Sequence, residues 1–182
     1  MNIRIRILLV LSLFLLSGEV AYCEEWIKMK FLNDQYSIKF PGVPKVKTLN
    51  NSDKQNVLEK DQLEYLSKKS DNDDNIQYII TYAKLSDKLK TSKQDKNKFV
   101  NYRISVDQMV ESLKGNLVYE KDIVVDKKPG KQIGVELPKR GSFLTAIFVR
   151  TEDIQFVILV VSKEGFATNN RMKRFFTSFH KE

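Results

Sequence analysis

Two runs in the last quarter of the chain constrain its fold more than any other feature. Phe143 to Val149 and Ile154 to Val161 are apolar at almost every position and are joined by a short polar turn around Glu152-Asp153. A strand that alternates apolar and polar residues needs cover on one face, whereas a strand apolar on both faces must be covered on both. The pair therefore reads as neighbouring strands at the centre of a sheet, with further layers above and below it.

The rest of the chain contains the material for those layers. Trp26 to Phe31 and Tyr36 to Phe40 alternate with period two, and the second run stops at Pro41-Gly42, where restricted and permissive backbones turn the chain. Val43 to Leu49 can pair back as a short strand. Leu58 to Ser67 and Ile76 to Leu85 read as a hairpin whose tip, residues 68–75, is polar and solvated. The period then changes. From Gln94 to Lys114, Phe99, Tyr102, Val106, Met109, Val110 and Leu113 recur at helical spacing, and Gly115-Asn116 is the stop signal. Leu117 to Val125 and Lys131 to Leu137 are strands again, with Lys127-Lys-Pro129-Gly130 suited to a type II turn between them. A C-terminal helix places Phe166, Met172, Phe175, Phe176 and Phe179 on the core side, and Arg171, Lys173 and Arg174 toward solvent. The sum is an α+β domain: an antiparallel β-sheet of about seven strands with a long amphipathic helix and a C-terminal helix packed on it.

The first residues lie outside that domain. Arg4 and Arg6 precede the apolar run Ile7 to Leu16, and Ser17, Gly18, Ala21 and Cys23 follow, which is the order of a secretory signal. The run is ten residues long, against about 20 for a spanning helix. Residues 1–23 are therefore expected to be a signal peptide and residues 24–182 a single domain, exported to the periplasm or cell envelope, or secreted. Cys23 can be read in two ways. With Ala21 it supplies the small residues for cleavage before Glu24; alternatively Val20-Ala21-Tyr22-Cys23 is a lipoprotein box and Cys23 carries a lipid that tethers the domain to a membrane. The bulk of Tyr22 favours simple cleavage. One Cys and one His in the whole chain rule out an intramolecular disulfide and a His/Cys-rich zinc site.

The formal net charge is +8, and without residues 1–23 it is +7, from 29 basic against 22 acidic residues. Lysine supplies most of it, with 24 Lys to 7 Arg. Arginine is the residue suited to bidentate phosphate and base contacts, so the balance argues against nucleic acid. The densest stretch holds Lys84, Lys88, Lys90, Lys93, Lys96 and Lys98, with Asp87 and Asp95 among them. It reads as a solvated loop, or as a docking surface for an acidic protein or anionic lipid headgroups.

No catalytic constellation emerges. His180 lies at the end of the chain, where a frayed surface imidazole is expected. Ser178 and Lys181 have the Ser-x-x-Lys spacing of penicillin-recognising enzymes without the companion motifs. Asp71 to Asn75 offer three alternate oxygens of a calcium loop, but Ile76 stands at the glycine position. Phosphate-binding glycine patterns are missing. The expectation is no cofactor, no metal and no enzyme activity.

Tyr36-Ser-Ile-Lys-Phe40-Pro41-Gly42-Val-Pro44 and the closing Phe175-Phe176-Thr-Ser178-Phe179 resemble the opening and the ending of small exported bacterial proteins with the PsbP-like fold, which includes PsbP, DcrB and LpqN type domains. Gly134, the apolar pair 143–161 and the helix before it fall in the same order. The resemblance spans nearly all of residues 24–182 and implies a sandwich with helices on both faces of an antiparallel sheet. It also implies a binding or assembly role at the cell envelope, with a protein partner, and no shared active site. A carrier of a lipid or small apolar ligand, held between the helix and the sheet, is the alternative; a hydrolase stands third.

Overall fold

The computed structural model describes residues 25–49, 57–68, 73–85, 100–151, 153–163 and 168–182. They form ten strands and two helices. In chain order these are β1 (Ile27–Phe31), β2 (Tyr36–Phe40), β3 (Lys45–Thr48), β4 (Val57–Leu66), β5 (Asn75–Leu85), α1 (Val100–Leu113), β6 (Asn116–Val125), β7 (Lys128–Leu137), β8 (Ser142–Arg150), β9 (Ile154–Lys163), α2 (Asn170–Thr177) and β10 (His180–Lys181). A 3-10 turn, Pro138–Arg140, links β7 to β8.

Seven strands make one antiparallel sheet in the order β3-β4-β5-β9-β8-β7-β6. The two apolar runs are β8 and β9, at its centre, paired with Ile147 opposite Ile158. Each face of that centre is covered, as its composition requires. On one face lie the small sheet β1-β2-β10 and α2, enclosing Ile38, Phe40, Tyr78, Phe156 and Phe175 at full burial. On the other face lies α1, whose Tyr102 and Val106 close over Ile133, Val135, Leu144, Ala146 and Phe148. Each of the Val, Leu, Ile and Phe side chains among these contributes about 1.5–3 kcal/mol by leaving water.

Both helices are short. α1 has 14 residues and α2 has eight, and residues 94–99 of the helix expected from Gln94 lie outside the described residues, as does Phe166. Phe179 packs in the core from beyond the end of α2.

Several local readings change. Lys127-Lys-Pro129-Gly130 is not a type II turn: Pro129 and Gly130 belong to β7, and the hairpin turns at Asp126 and Lys127, both with positive φ (46° and 63°). Two positive φ values in a two-residue loop are the type I′ arrangement, whose twist matches that of the flanking strands. The stop after α1 is also displaced by one residue. Lys114 takes the left-handed conformation (φ 52°), and Gly115 N–H returns to Val110 O at 3.1 Å, a Schellman closure. Gly115 is small because a Cβ there would meet Glu136 O at 2.9 Å. Gly42 likewise has no positive φ; a Cβ there would overlap the ring of Tyr65.

Candidate functional site

The two terminal motifs meet in the structure. Phe40 packs on Phe175 at 5.1 Å between ring centroids, Tyr36 stacks on Phe179 at 6.1 Å, and Lys39 N–H donates to Ser178 Oγ at 2.9 Å. Ser178 Oγ in turn donates to Phe175 O at 2.7 Å. Ser178 is thus engaged in closing α2.

His180 is not frayed. β10 pairs it with Ser37 of β2, and its Nδ1 sits 3.0 Å from Ser178 O, which places the proton on Nδ1. Ser37 Oγ and Glu182 Oε1 each lie 3.2 Å from Nε2. A hydrolytic triad needs its acid on the imidazole nitrogen opposite the nucleophile and a hydroxyl that substrate can reach. Here both partners share Nε2 and Ser37 is fully buried. The cluster fastens the end of the chain. Hydrogen bonds from Lys28 and Ser37 hold the Glu182 carboxyl down at about 2.

The acidic stretch at the β4–β5 connection is not a solvated tip over the part described. The Asp73 carboxylate is 1% exposed and pairs with Arg171 Nη1 at 3.2 Å. It accepts from Tyr78 Oη at 2.6 Å and from Asn75 N and Nδ2 at 2.9 and 3.0 Å. Asn169, the N-cap of α2, exchanges side-chain hydrogen bonds with Asn75. Arg171, read as solvent-facing, is therefore the cationic half of a buried link. Burial and the adjacent Asp73 push the Tyr78 phenol far above its usual range. A second buried carboxylate, Glu64, lies on the α1 side of the sheet. Burial alone would raise it, but hydrogen bonds from Lys47, Gln77 and Gln62, with the charge of Lys47, hold it below its ordinary value. Among the described residues no group of three or more His, Cys, Asp or Glu is placed to hold a metal ion, and no helix is long and apolar enough to cross a membrane.

Apart from these structural clusters, the described residues enclose two grooves with mainly apolar linings, and a smaller, more polar one of about 340 Å³ beside Asp61, Lys84 and Asp153. The hairpin groove, of about 480 Å³, lies between the β6–β7 hairpin and α2. Ile123, Ile147, Met172 and Phe176 floor it, and Lys121 and Lys173 stand exposed on its rim. Its position follows from the turn at 126–127: Asp126 accepts from Lys181 N–H at 2.9 Å, which draws the hairpin toward the end of the chain. The α1 groove, of about 490 Å³, lies on the opposite face between the second half of α1 and strands β5, β9 and β8. Both volumes fall within the 300–1,000 Å³ of small-ligand sites.

Of the residues singled out from sequence, Lys84 ends up half-buried near the end of β5, paired with Ile154 of β9, and belongs to neither apolar groove. Cys23, Lys88, Lys90, Lys93, Lys96 and Lys98 lie outside the described residues. The α1 groove lies where the carrier alternative expects a ligand, between the helix and the sheet, whereas the hairpin groove joins residues from elements that no single periodicity connects.

No family model matches the chain, and no curated protein matches its sequence. Solved structures do. The solution structure of cyanobacterial PsbP (CyanoP) from Synechocystis sp. PCC 6803 aligns over 91% of this chain and 98% of its own, with a TM-score of 0.58 at 10% identity. A protein of unknown function from Pseudomonas aeruginosa aligns over 76% and 83% respectively, at 9% identity and a TM-score of 0.35. The chain has a PsbP-like fold.

Proposed function

We propose that this protein is an exported, non-enzymatic binding domain that docks a protein partner at the bacterial cell envelope, through the hairpin groove. The observation that carries the reading is the make-up of that groove: an apolar floor of Ile123, Ile147, Met172 and Phe176 inside a rim bearing Lys121 and Lys173. An apolar centre within a polar rim is the anatomy of a protein interface. The lysines suit an acidic segment carrying an apolar anchor, and the net charge of +7 on residues 24–182 draws such a partner in. The order of residues 1–23 supports export, with Cys23 as the processing boundary.

Crosslinking and pull-down from intact envelopes tests this. Lys121→Glu with Lys173→Glu should reduce recovery of the partner at least tenfold, while Glu at Lys84 and Lys88 to Lys98 should leave it unchanged. The opposite pattern moves the docking surface to the lysine-rich stretch. The intact mass of the processed protein shows separately whether it starts at Glu24 or at a lipidated Cys23. A carrier of a lipid or small apolar ligand is the second reading, favoured by the α1 groove.

A further inference from the structure

We infer that the α1 groove binds a single-chain amphiphile with a carboxylate head group, its alkyl chain over the sheet and its head at Arg140. This rests on the carrier reading and is independent of docking at the hairpin groove. Along the floor and wall, Ile79, Leu159, Leu144, Met109 and Leu113 present aliphatic side chains, several only partly buried by the protein itself. Met109 adds an adaptable thioether suited to variable chain shapes. The polar residues at the edge, Gln77, Gln108 and Ser112, are neutral, and among the described residues no Asp or Glu lines the site.

The charge is confined to one group. Arg140 closes the 3-10 turn Pro138–Arg140, and its exposed side chain lines the groove beside Leu137. A guanidinium presents a planar fork that matches a carboxylate with two parallel hydrogen bonds. Among the described lining residues a cationic head has no counter-charge, since the nearby Glu64 is already paired with Lys47. Behind the same end, without lining the groove, Ser142 pairs with Leu137 across β7 and β8, on the same face as Leu144, and is 3% exposed. Its Oγ has no hydrogen-bond partner among the described residues. A buried hydroxyl in that state is unfavourable until a polar group reaches it. The volume, in the lower half of the small-ligand range, suits one alkyl chain.

Isothermal titration of the full processed chain with octanoate, decanoate and dodecanoate, each below its micelle concentration, tests the assignment. Affinity should rise about two- to fourfold per added methylene, the upper figure being that for full burial. Dodecyltrimethylammonium should bind at least tenfold more weakly than dodecanoate. Arg140→Glu should weaken dodecanoate at least tenfold, and Ser112→Trp, which fills the groove from an exposed helix position, should abolish binding. The 13C-methyl resonance of Met109 should shift on saturation. Lys173→Glu, on the opposite face, should change nothing, so a failure here is separable from a failure of the docking reading. The inference is overturned by equal binding of the cationic and anionic probes, by no dependence on chain length, or by an unmoved Met109 resonance. Full affinity in Arg140→Glu, or a self-associated dimer whose dissociation is needed before dodecanoate binds, overturns it as well.

Discussion

Removing the Asp73 carboxylate should cost this protein more stability than removing the cation that pairs with it. Asp73→Ala takes away the acceptor of the Tyr78 hydroxyl at 2.6 Å, of two Asn75 N–H groups at 2.9 and 3.0 Å, and of Arg171 at 3.2 Å. Tyr78 is fully buried, and a buried donor left unpaired costs about 1–3 kcal/mol. Arg171 is 30% exposed, so its charge reaches water and the loss falls below the roughly 3–5 kcal/mol of breaking a fully buried pair. Together these give about 3–4 kcal/mol for Asp73→Ala. Arg171→Ala leaves the carboxylate with its Tyr78 and Asn75 donors and should cost about 1–2 kcal/mol by the same reasoning. Urea unfolding reports this directly, because Trp26 is the single tryptophan and its ring lies edge-on to Tyr78 at 6.0 Å. With a slope of about 2 kcal/mol per molar urea, the midpoint should fall by roughly 1.5–2 M for Asp73→Ala and about half that or less for Arg171→Ala. Equal losses, or a midpoint for Asp73→Ala within ~0.3 M of the parent, would refute the view that this cluster fastens α2 to the β5 end of the sheet.

Other consequences are as direct. Because the folded Glu182 carboxyl is held down at about 2, its contribution to stability is complete above the unfolded value of 4.5 and is lost as pH falls from 4.5 through about 2. An NMR titration should place its midpoint near 2, and Lys28→Ala should raise it. Gly134 lies under the ring of Tyr119, which a Cβ would overlap. Gly134→Ala should therefore cost about 1–3 kcal/mol, and most of that cost should disappear in a Tyr119→Ala background, as a double-mutant cycle by urea unfolding will read. Lys127 holds a positive φ of 63° in the β6–β7 turn. Lys127→Gly should raise stability by up to about 1 kcal/mol, measured as a higher urea midpoint.

The sequence was most informative where one element carries its own signal. The doubly apolar runs 143–149 and 154–161 announced the sheet centre because burial on both faces leaves no polar alternation. The Phe40-Pro41-Gly42 and Phe175-to-Phe179 motifs are visible as local patterns, though their contact through Phe40 and Phe175 depends on the fold. Turn details were less legible. Pro129-Gly130 looked like a turn, yet the chain turns at Asp126 and Lys127, whose residue types carry no strong left-handed preference comparable to glycine. Long-range polar pairs were not legible at all. Nothing local to Asp73 points to Arg171, 98 positions away, and His180 gave no sign that a two-residue strand would tie it to Ser37. The hairpin groove is of this kind, assembled from separate elements whose own periodicities record only the core, whereas a site between the helix and the sheet could be expected from the amphipathic face of α1.

Site-specific photo-crosslinking in intact cells tests the docking claim most directly. The probe belongs at Val124, 76% exposed at the hairpin groove, with Ile104, 64% exposed on α1, as the control on the opposite layer. The predicted result is one discrete protein adduct from Val124, lost when Lys121 and Lys173 are changed to Glu, and none from Ile104. An adduct of equal yield from both positions, or one from Ile104 alone, would contradict a partner seated in the hairpin groove.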